Sequence, residues 1–475
     1  MGYIRGMDRQ QAVLFPEAID DFITEANPVR FLDVFVDSLD LVALGFERSV
    51  PAETGRPGYD PADLLRLYVY GYLHRIRSSR RLEAEAGRNL ELMWLLRRLR
   101  PDFKTIADFR KNNAAALRKV CREFTLLCKR LELFSGELVA IDGSKFRAVN
   151  SRERNFTKAK IEKLLKQIEE RIDGYLWALE ETDREEACTA HPDAEALKGK
   201  IAALRERKEE YGKIHAQMQA SGEDQVSLTD PQSRSMKTRG GTDVCYNAQI
   251  AVDAKHKLIV ENDVTNAATD TDQLSALAKQ AKEVLAVEAL EVVADRGYYH
   301  GAEVKECEEA GITVYVAKPL TSANEARGLF TKEDFVYEAE QDAYRCPAGE
   351  RLVFRFETVE KGRQIRYYRT SACGRCPMKA QCTRNKADRR ITRWKDEHLL
   401  EAMAQRLREK PEMMKKRKAL AEHPFGTIKR GMDAGYFLTK GTLKVRAEFS
   451  LSVLAYNLKR AITILGVPRL MAALA

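Results

Sequence analysis

The 475-residue chain predicts an α/β protein, a mixed sheet flanked by helices behind a helical N-terminal region. Three observations predict it. Glu137-Leu138-Val139-Ala140-Ile141-Asp142-Gly143-Ser144-Lys145 is a short apolar run that ends on a carboxylate, with a glycine directly behind it. Leu290-Glu291-Val292-Val293-Ala294-Asp295-Arg296-Gly297-Tyr298 repeats that design. Short apolar runs bounded by turn signals are core strands, so each Asp stands as the last residue of a strand at the sheet edge. The third observation is the alternation of strand and helix patterns between 245 and 316.

The elements follow in order. Pro28, Phe31, Leu32, Val34, Phe35, Val36, Leu39 and Leu41 predict one helix with an apolar stripe. Gly55-Arg56-Pro57-Gly58 breaks the chain, and Pro61-Ala62-Asp63-Leu64-Leu65 opens a helix with proline in its first turn. The pattern then stays helical to about Leu133. Beyond Asp142, Ile161, Leu164, Leu165, Ile168, Ile172, Tyr175 and Leu179 recur at helical spacing, as do Leu197, Ile201, Leu204, Tyr211 and Ile214. They predict an antiparallel helical hairpin over 157–219, and the break at 189–193 favours a fold-back over a parallel coiled-coil dimer. After the loop Thr238-Arg239-Gly240-Gly241, residues 245–253 and 257–264 read as strands joined by a tight turn. A helix over 270–284 follows, with Asp270 and Asp272 as acids near its N-terminus. Then come the strand ending at Asp295, a helix near 302–310 and a strand over 312–316. Three strands, then helix, strand, helix and strand, is the order of an RNase H-like fold.

Composition is that of an ordinary soluble protein, 44% hydrophobic and 32% charged, with a net charge of +9 that is compatible with nucleic acid. There is no apolar run of membrane-spanning length and no basic-then-apolar leader at residues 1–11, so the expected compartment is a reducing cytoplasm. Nine cysteines there are thiols or metal ligands rather than disulfides. Basic residues crowd the N-terminal helices, as in His74-Arg75-Ile76-Arg77-Ser78-Ser79-Arg80-Arg81. Helices carrying arginines suit a DNA groove and its phosphates, which makes Arg77, Arg80 and Arg81 candidate DNA contacts.

Two carboxylates held side by side are expensive to keep ionised unless a cation neutralises them, and carboxylate oxygen suits Mg²⁺ or Mn²⁺. Read alone, each Asp only starts a turn. A third acid lies in the basic helical stretch 411–430, in Ala421-Glu422-His423-Pro424-Phe425-Gly426-Thr427-Ile428-Lys429-Arg430. Glu422 and Lys429 stand seven apart, about two helical turns, which places acid and lysine in one groove. Pro424 calls for a kink or a fresh start there. Arg417 and Arg430 of the same stretch are further candidate DNA contacts.

Asp142 in AIDGSKFRA, Asp295 in VADRGYYHG and Glu422 in AEHPFGTIKR resemble the three acids of the DDE transposases of bacterial insertion sequences. The closing stretch VRAEFSLSVLAYNLKR and the basic N-terminal region resemble that family too. Part of the family carries a tyrosine–arginine–glutamate–lysine helix signature; Glu422 and Lys429 fit it, whereas Lys415 and Lys418 replace the tyrosine and arginine. The resemblance implies two Mg²⁺ ions bridged by Asp142, with Asp295 and Glu422 each holding one. It also implies double-stranded DNA as partner, both terminal inverted repeats and target, and a homodimer or larger synaptic complex.

Cys346, Cys373, Cys376 and Cys382 fall in an aromatic, strand-rich stretch and suit a tetrahedral structural Zn²⁺ site, unliganded thiols being the alternative. The expected organisation is a helical DNA-binding region over 1–133 and a catalytic RNase H-like domain over 134–319 with 396–475. Into that domain are inserted the hairpin over 155–220 and the cysteine-bearing module over 320–395. Asp230, Asp253 and Asp263 are rival acids; Asp230 heads a turn beside a basic loop, and the other two read as turn formers. The expected function is DNA cleavage followed by joining of a 3′-OH to target DNA. A metal-dependent nuclease of the same fold, or a non-catalytic DNA-binding descendant, are the alternatives.

Overall fold

The computed structural model describes residues 18–51, 53–54, 57–185, 192–319, 324–360, 362–385 and 387–474. The chain opens with helices α1 (Pro28–Asp37), α2 (Leu41–Leu44), α3 (Pro61–Leu73), α4 (Ser79–Ala86), α5 (Leu90–Leu95), α6 (Phe103–Asn112) and α7 (Ala114–Arg130). Local chemistry sets their starts. The side chains of Asn27, Asp60 and Asp102 each accept from backbone N–H groups of the first turn, and Pro28 and Pro61 occupy first positions where no N–H is needed. Helix α3 is buried nearly all round, and its Arg66 is neutralised by Asp33, Asp37 and Asp63.

Strand β1 (Leu138–Arg147) enters the main sheet. There follow β2 (Asn155–Thr157), α8 (Lys158–Glu185), α9 (Pro192–Ser221), β3 (Gln225–Ser227), β4 (Arg234–Thr238), β5 (Gly241–Asp253) and β6 (Ile259–Thr265). Then come α10 (Leu274–Leu285), β7 (Leu290–Ala294), α11 (Gly301–Glu309) and β8 (Ile312–Val316). The main sheet runs β4-β5-β1-β7-β8, and β6 joins β4 on the far edge of β5. β5 is antiparallel to β1, β4 and β6, whereas β7 is parallel to β1 and to β8.

Two sequence expectations change. β1 does not stop at Asp142: its pairing with β5 runs from Val139↔Asp253 to Arg147↔Cys245, while its pairing with β7 ends at Ala140↔Val293. One neighbour therefore carries the strand on after the other has left, and Gly143 lies inside a strand rather than in a turn. Thr238-Arg239-Gly240-Gly241 is the tip of a hairpin whose first arm, β4, was not anticipated.

The helices α8 and α9 form the expected hairpin, with apolar seams at Phe156, Ile161, Ile214 and Met218 and at Ile168, Ile172 and Ile201. The expected break at 189–193 overlaps residues 186–191, outside the described residues, as is Cys188. The cysteine-bearing insertion is a five-stranded antiparallel sheet of β9 (Val336–Glu338), β10 (Ala343–Arg345), β11 (Arg351–Glu360), β12 (Arg363–Arg369) and β13 (Ile391–Trp394), with α12 (Lys379–Cys382) beside it. Phe335, Tyr344, Leu352, Tyr368 and Ile391 fill its core. It docks through Trp394 on Gly301, where an added Cβ would lie 2.9 Å from the indole.

The chain closes with α13 (Glu397–Glu409), α14 (Glu412–Gly426), a π-helical stretch Thr427–Gly431, α15 (Thr442–Leu465) and α16 (Val467–Ala472). Helix α14 passes through Pro424 without a fresh start; the disturbance appears as the wide turn that follows. Helix α15 is apolar on almost every side, which marks a helix enclosed by protein. It packs against α3, α7 and β6, and Asn457 bonds both Ile259 N–H and Ile259 C=O like an extra strand partner. One continuous core thus joins the N-terminal helices to the sheet and α15, so 133 is no boundary of packing.

Arg77 shows this most directly. It is 6% exposed, donates to the carbonyls of Tyr436 (2.8 Å) and Asp433 (2.6 Å), and pairs with buried Glu448 at 3.5 Å. It is a tie between the α3–α4 corner and the C-terminal segment, not a DNA contact. Arg77→Ala should destabilise the protein by about 3 kcal/mol, since it leaves a buried acid without its cation. Thermal melting checks this: a lowered midpoint is expected, and an unchanged one would return Arg77 to the surface.

Candidate active site

Parallel pairing of β1 with β7 matches Ala140 to Val293, and the same register continued two residues sets Asp142 level with Asp295. Asp295 directly follows β7 and caps a 3₁₀ turn, its Oδ1 accepting from Gly297 N–H at 2.7 Å. Asp142 accepts from Gly143 N–H at 2.9 Å. Between them stands Arg417 of α14, with Nη1 3.6 Å from Asp142 Oδ1 and 3.7 Å from Asp295 Oδ2. That nitrogen is buried and has no hydrogen bond among the described residues, so it acts as a charge between two acids. Burial pushes the Asp142 carboxyl up to about 6; Arg417 opposes the rise, and Asp295 and Asp270 add to it.

Asp270, from the loop before α10, is the acid whose place the sequence did not reveal. Its Oδ1 accepts from Asn247 Nδ2 (2.6 Å) and Gln249 Nε2 (2.8 Å), and Lys145 Nζ lies 3.4 Å away. Gln249 in turn accepts from the hydroxyl of fully buried Tyr298. This network crosses directly over Gly143. A Cβ there would lie 2.4 Å from Gln249 Nε2, 2.6 Å from Asp270 Oδ1 and 3.0 Å from the Tyr298 hydroxyl, so any side chain there must push these groups aside. A signal was present: Asn247 and Gln249 are polar residues two apart in an otherwise apolar strand, hence on one face of it.

Lys429 sits past Asp142 along β1. Its Nζ donates to Ser144 Oγ (2.6 Å) and Lys145 C=O (2.7 Å) and lies 4.4 Å from the Phe146 ring centre. Burial pulls its pKa down to about 8. Glu422 is exposed and has no hydrogen bond or ion pair among the described residues. The expected two-turn spacing presumed a uniform α-helix, and the π-helical stretch at Thr427–Gly431 breaks it. Beside it, His423 Nδ1 lies 3.0 Å from the Tyr456 hydroxyl.

The remaining candidates divide by burial. Arg81 and Arg430 are exposed, as is Arg80, whose guanidinium lies over Phe103. Asp230 is fully buried, accepting from the Tyr246 hydroxyl and Gly441 N–H, and Asp253 accepts from Ser135, Gly136 and Lys255 N–H groups. Asp263 pairs with Arg446. All three hold loops and strands together. Cys346, Cys373, Cys376 and Cys382 line one pocket with Phe330, Phe335 and Leu352. Burial, chiefly, and the other three sulfurs push the Cys382 thiol up.

Among the described residues, the only group of three His, Cys, Asp or Glu ligand atoms within 4.8 Å of one another is Asp272, His300 and Glu303. Neither the Asp142, Asp295 and Glu422 set nor the four thiols is drawn in so closely. Glu303 already accepts from Ser275 N–H at the start of α10 and Asp272 is exposed. That trio reads as helix-end chemistry.

Residues 17–112 match a family described as Transposase domain (DUF772), and residues 345–462 match the Transposase DDE domain. No curated protein matches the chain. Among solved structures, the cryo-EM structure of the piggyBac transposase synaptic complex with hairpin DNA aligns at 9% identity, covering 94% of this chain and 79% of that one. Its TM-score of 0.31 is too low to carry an argument.

Gly143→Ala should cost about 1–3 kcal/mol of stability by overpacking, as Asp270 and Gln249 are forced apart. Gly240→Ala, with open space around its Cα, is the control. Thermal melts read both, and equal midpoints of the two variants would contradict the crossing network.

Proposed function

The chain is a DDE transposase by its two domain matches, and from that premise we propose that it cleaves the ends of an insertion sequence and joins the freed 3′-OH to target DNA. The observation that carries this reading is the pairing of Asp142 and Asp295 around one cation, the Arg417 guanidinium. The strand order with β6, β5, β1, β7 and β8 side by side, the first two pairings antiparallel and the last two parallel, supports an RNase H-like catalytic domain.

The residues present fit a divalent cation, since two acids at one level already draw a positive group between them. Asp142 and Asp295 would hold Mg²⁺ or Mn²⁺, with Glu422 as the third acid implied by the resemblance and Asp270 beside them. When bound, two such ions stabilise the charge on the oxygens entering and leaving phosphorus. The chain's own groups do the rest. Asp270 orients Lys145 and the Gln249–Tyr298 pair behind Asp142. Lys429 and Arg417 present positive charge beside the acids, where a DNA phosphate would lie. Water first attacks the phosphodiester at the element's end, breaking its P–O3′ bond to give a 3′-OH and a 5′-phosphate; that 3′-OH then attacks a target phosphodiester in the same site and displaces the target strand's own 3′-oxygen. Exposed Arg80, Arg81 and Arg430 add phosphate contacts, and a dimer or larger complex would hold two ends together.

Asp142→Ala and Asp295→Ala should each reduce end cleavage and strand transfer of pre-cut ends by about 10³-fold in Mg²⁺ or Mn²⁺, the loss of several kcal/mol of transition-state stabilisation. DNA binding should stay within a few-fold of wild type. Glu422→Gln and Asp270→Asn, assayed side by side, decide which supplies the third carboxylate. Normal cleavage by the Asp142 or Asp295 variant overturns the reading.

For the cysteine pocket we propose one structural Zn²⁺. Four thiols and no carboxylate or imidazole line it, the donor set of a closed tetrahedral site. Purified protein should contain about one Zn²⁺ per chain by elemental analysis. Cys376→Ser should lose the metal and melt lower; zinc-free protein with an unchanged Cys376→Ser melt contradicts the site.

A further inference from the structure

The chain's positive charge is not evenly spread. Residues 336–394, the cysteine-bearing sheet, carry fourteen Lys and Arg against seven Asp and Glu, so seven of the nine net positive charges fall within this one small module. Part of that charge is used internally, as in Arg345 and Arg351 with Glu338, Arg366 with Asp342 and Glu357, and Arg369 with Asp388. Arg355, Arg363 and Arg390 have no ion pair among the described residues, and Arg355 and Arg390 are exposed.

The sheet also has two unlike faces. Phe354 pairs with Tyr368, whose ring lies in the module's own core. Side chains alternate along a strand, so Tyr367 points to the opposite face. There it stacks on its cross-strand partner Phe356, with ring centres 4.6 Å apart and planes within 12°. Phe356 is nevertheless 48% exposed. Arg363 and Arg369 lie on the same face by alternation, and Arg390 acts electrostatically on the Tyr367 hydroxyl. Arg355 is the extra residue of a bulge between Phe354 and Phe356, a device that re-aims a side chain.

This face is anchored to the helix that follows Asp295 in the chain. Its Ile365 and Trp394 pack onto the main core, and Trp394 rests on Gly301, six residues after Asp295. Exposed aromatics alone would suit a protein partner; a concentrated positive charge around them selects a polyanion.

We propose that this face of β11 and β12 is a second DNA-binding surface, gripping the phosphate backbone of duplex DNA beside the active site through Arg355, Arg363 and Arg390, with Phe356 and Tyr367 lying against the sugars. It rests on the transposase reading for the identity of its ligand, and it assigns to the cysteine-bearing module a role in holding DNA besides its own folding.

The test uses the full chain carrying Asp142→Ala, so that binding is read without cleavage and stands apart from whether the acids catalyse. Affinity for a duplex bearing the element's end and for random duplex is measured across a KCl series. Replacing Arg355, Arg363 and Arg390 by Ala should lower affinity at least tenfold at low salt for both duplexes. It should also flatten the slope of log K against log salt by about 2.7, or 0.9 per lost phosphate contact. The triple Arg→Lys variant should keep the slope, which separates lost charge from lost folding. Unchanged affinity and slope in the Ala variant overturn the proposal. So does a variant that keeps its slope but changes its mass in sedimentation, since the face then joins copies of the chain. A Lys variant as weak as the Ala variant overturns it as well.

Discussion

Like charges cannot share a half-buried site unless something positive stands between them, and the centre of this protein is built around that constraint. Asp142 on β1 and Asp295 directly after the parallel β7 face one cation, and Asp270 lies close enough to raise the Asp142 carboxyl further. Arg417 stands between the first two, Lys145 meets Asp270, and Lys429 lies beyond Asp142 on the same strand. Three acids are therefore set against three cations. A divalent ion or a phosphate entering this balance must rearrange it, and Arg417 is the group with least to lose, because its nearest nitrogen has no hydrogen bond to break.

The scaffold beneath is held together by a network that begins with one missing side chain. Gly143 lets Asp270, Gln249 and Tyr298 close over β1. The network fixes the loop before α10, the interior of β5 and the turn after β7 relative to one another. Those three segments are distant in sequence, and a single added methyl at residue 143 would push them apart.

Arginine content is a poor guide to which residues of this protein face outward. Arg66, Arg77 and Arg110 are all buried. Arg66 answers three aspartates, Arg77 ties the N-terminal helices to the segment before α15, and Arg110 lies against Tyr68 and Tyr72. A planar guanidinium with five donors is suited to such work, satisfying several carbonyls or carboxylates at once. The helical region that looks like a separate basic domain in sequence is one wall of a core shared with α15 and the sheet.

Local pattern determined most of the elements. Apolar runs announced β1, β7 and β8, helical spacing announced α1, α3 and the α8–α9 hairpin, and proline and capping acids marked where helices begin. These are short-range effects, written within a few residues of where they act. The pairing of Asp142 with Asp295 was legible as two strands of like design, but their equal height comes from register, which only sheet pairing sets. The entry of Asp270 and Arg417 beside them, the continuation of β1 past Asp142 and the seating of Lys429 on Ser144 and Lys145 depend on contacts between distant segments. No periodicity records such contacts. The tertiary structure decided them, because a buried charge takes its partners from whatever the fold brings within reach.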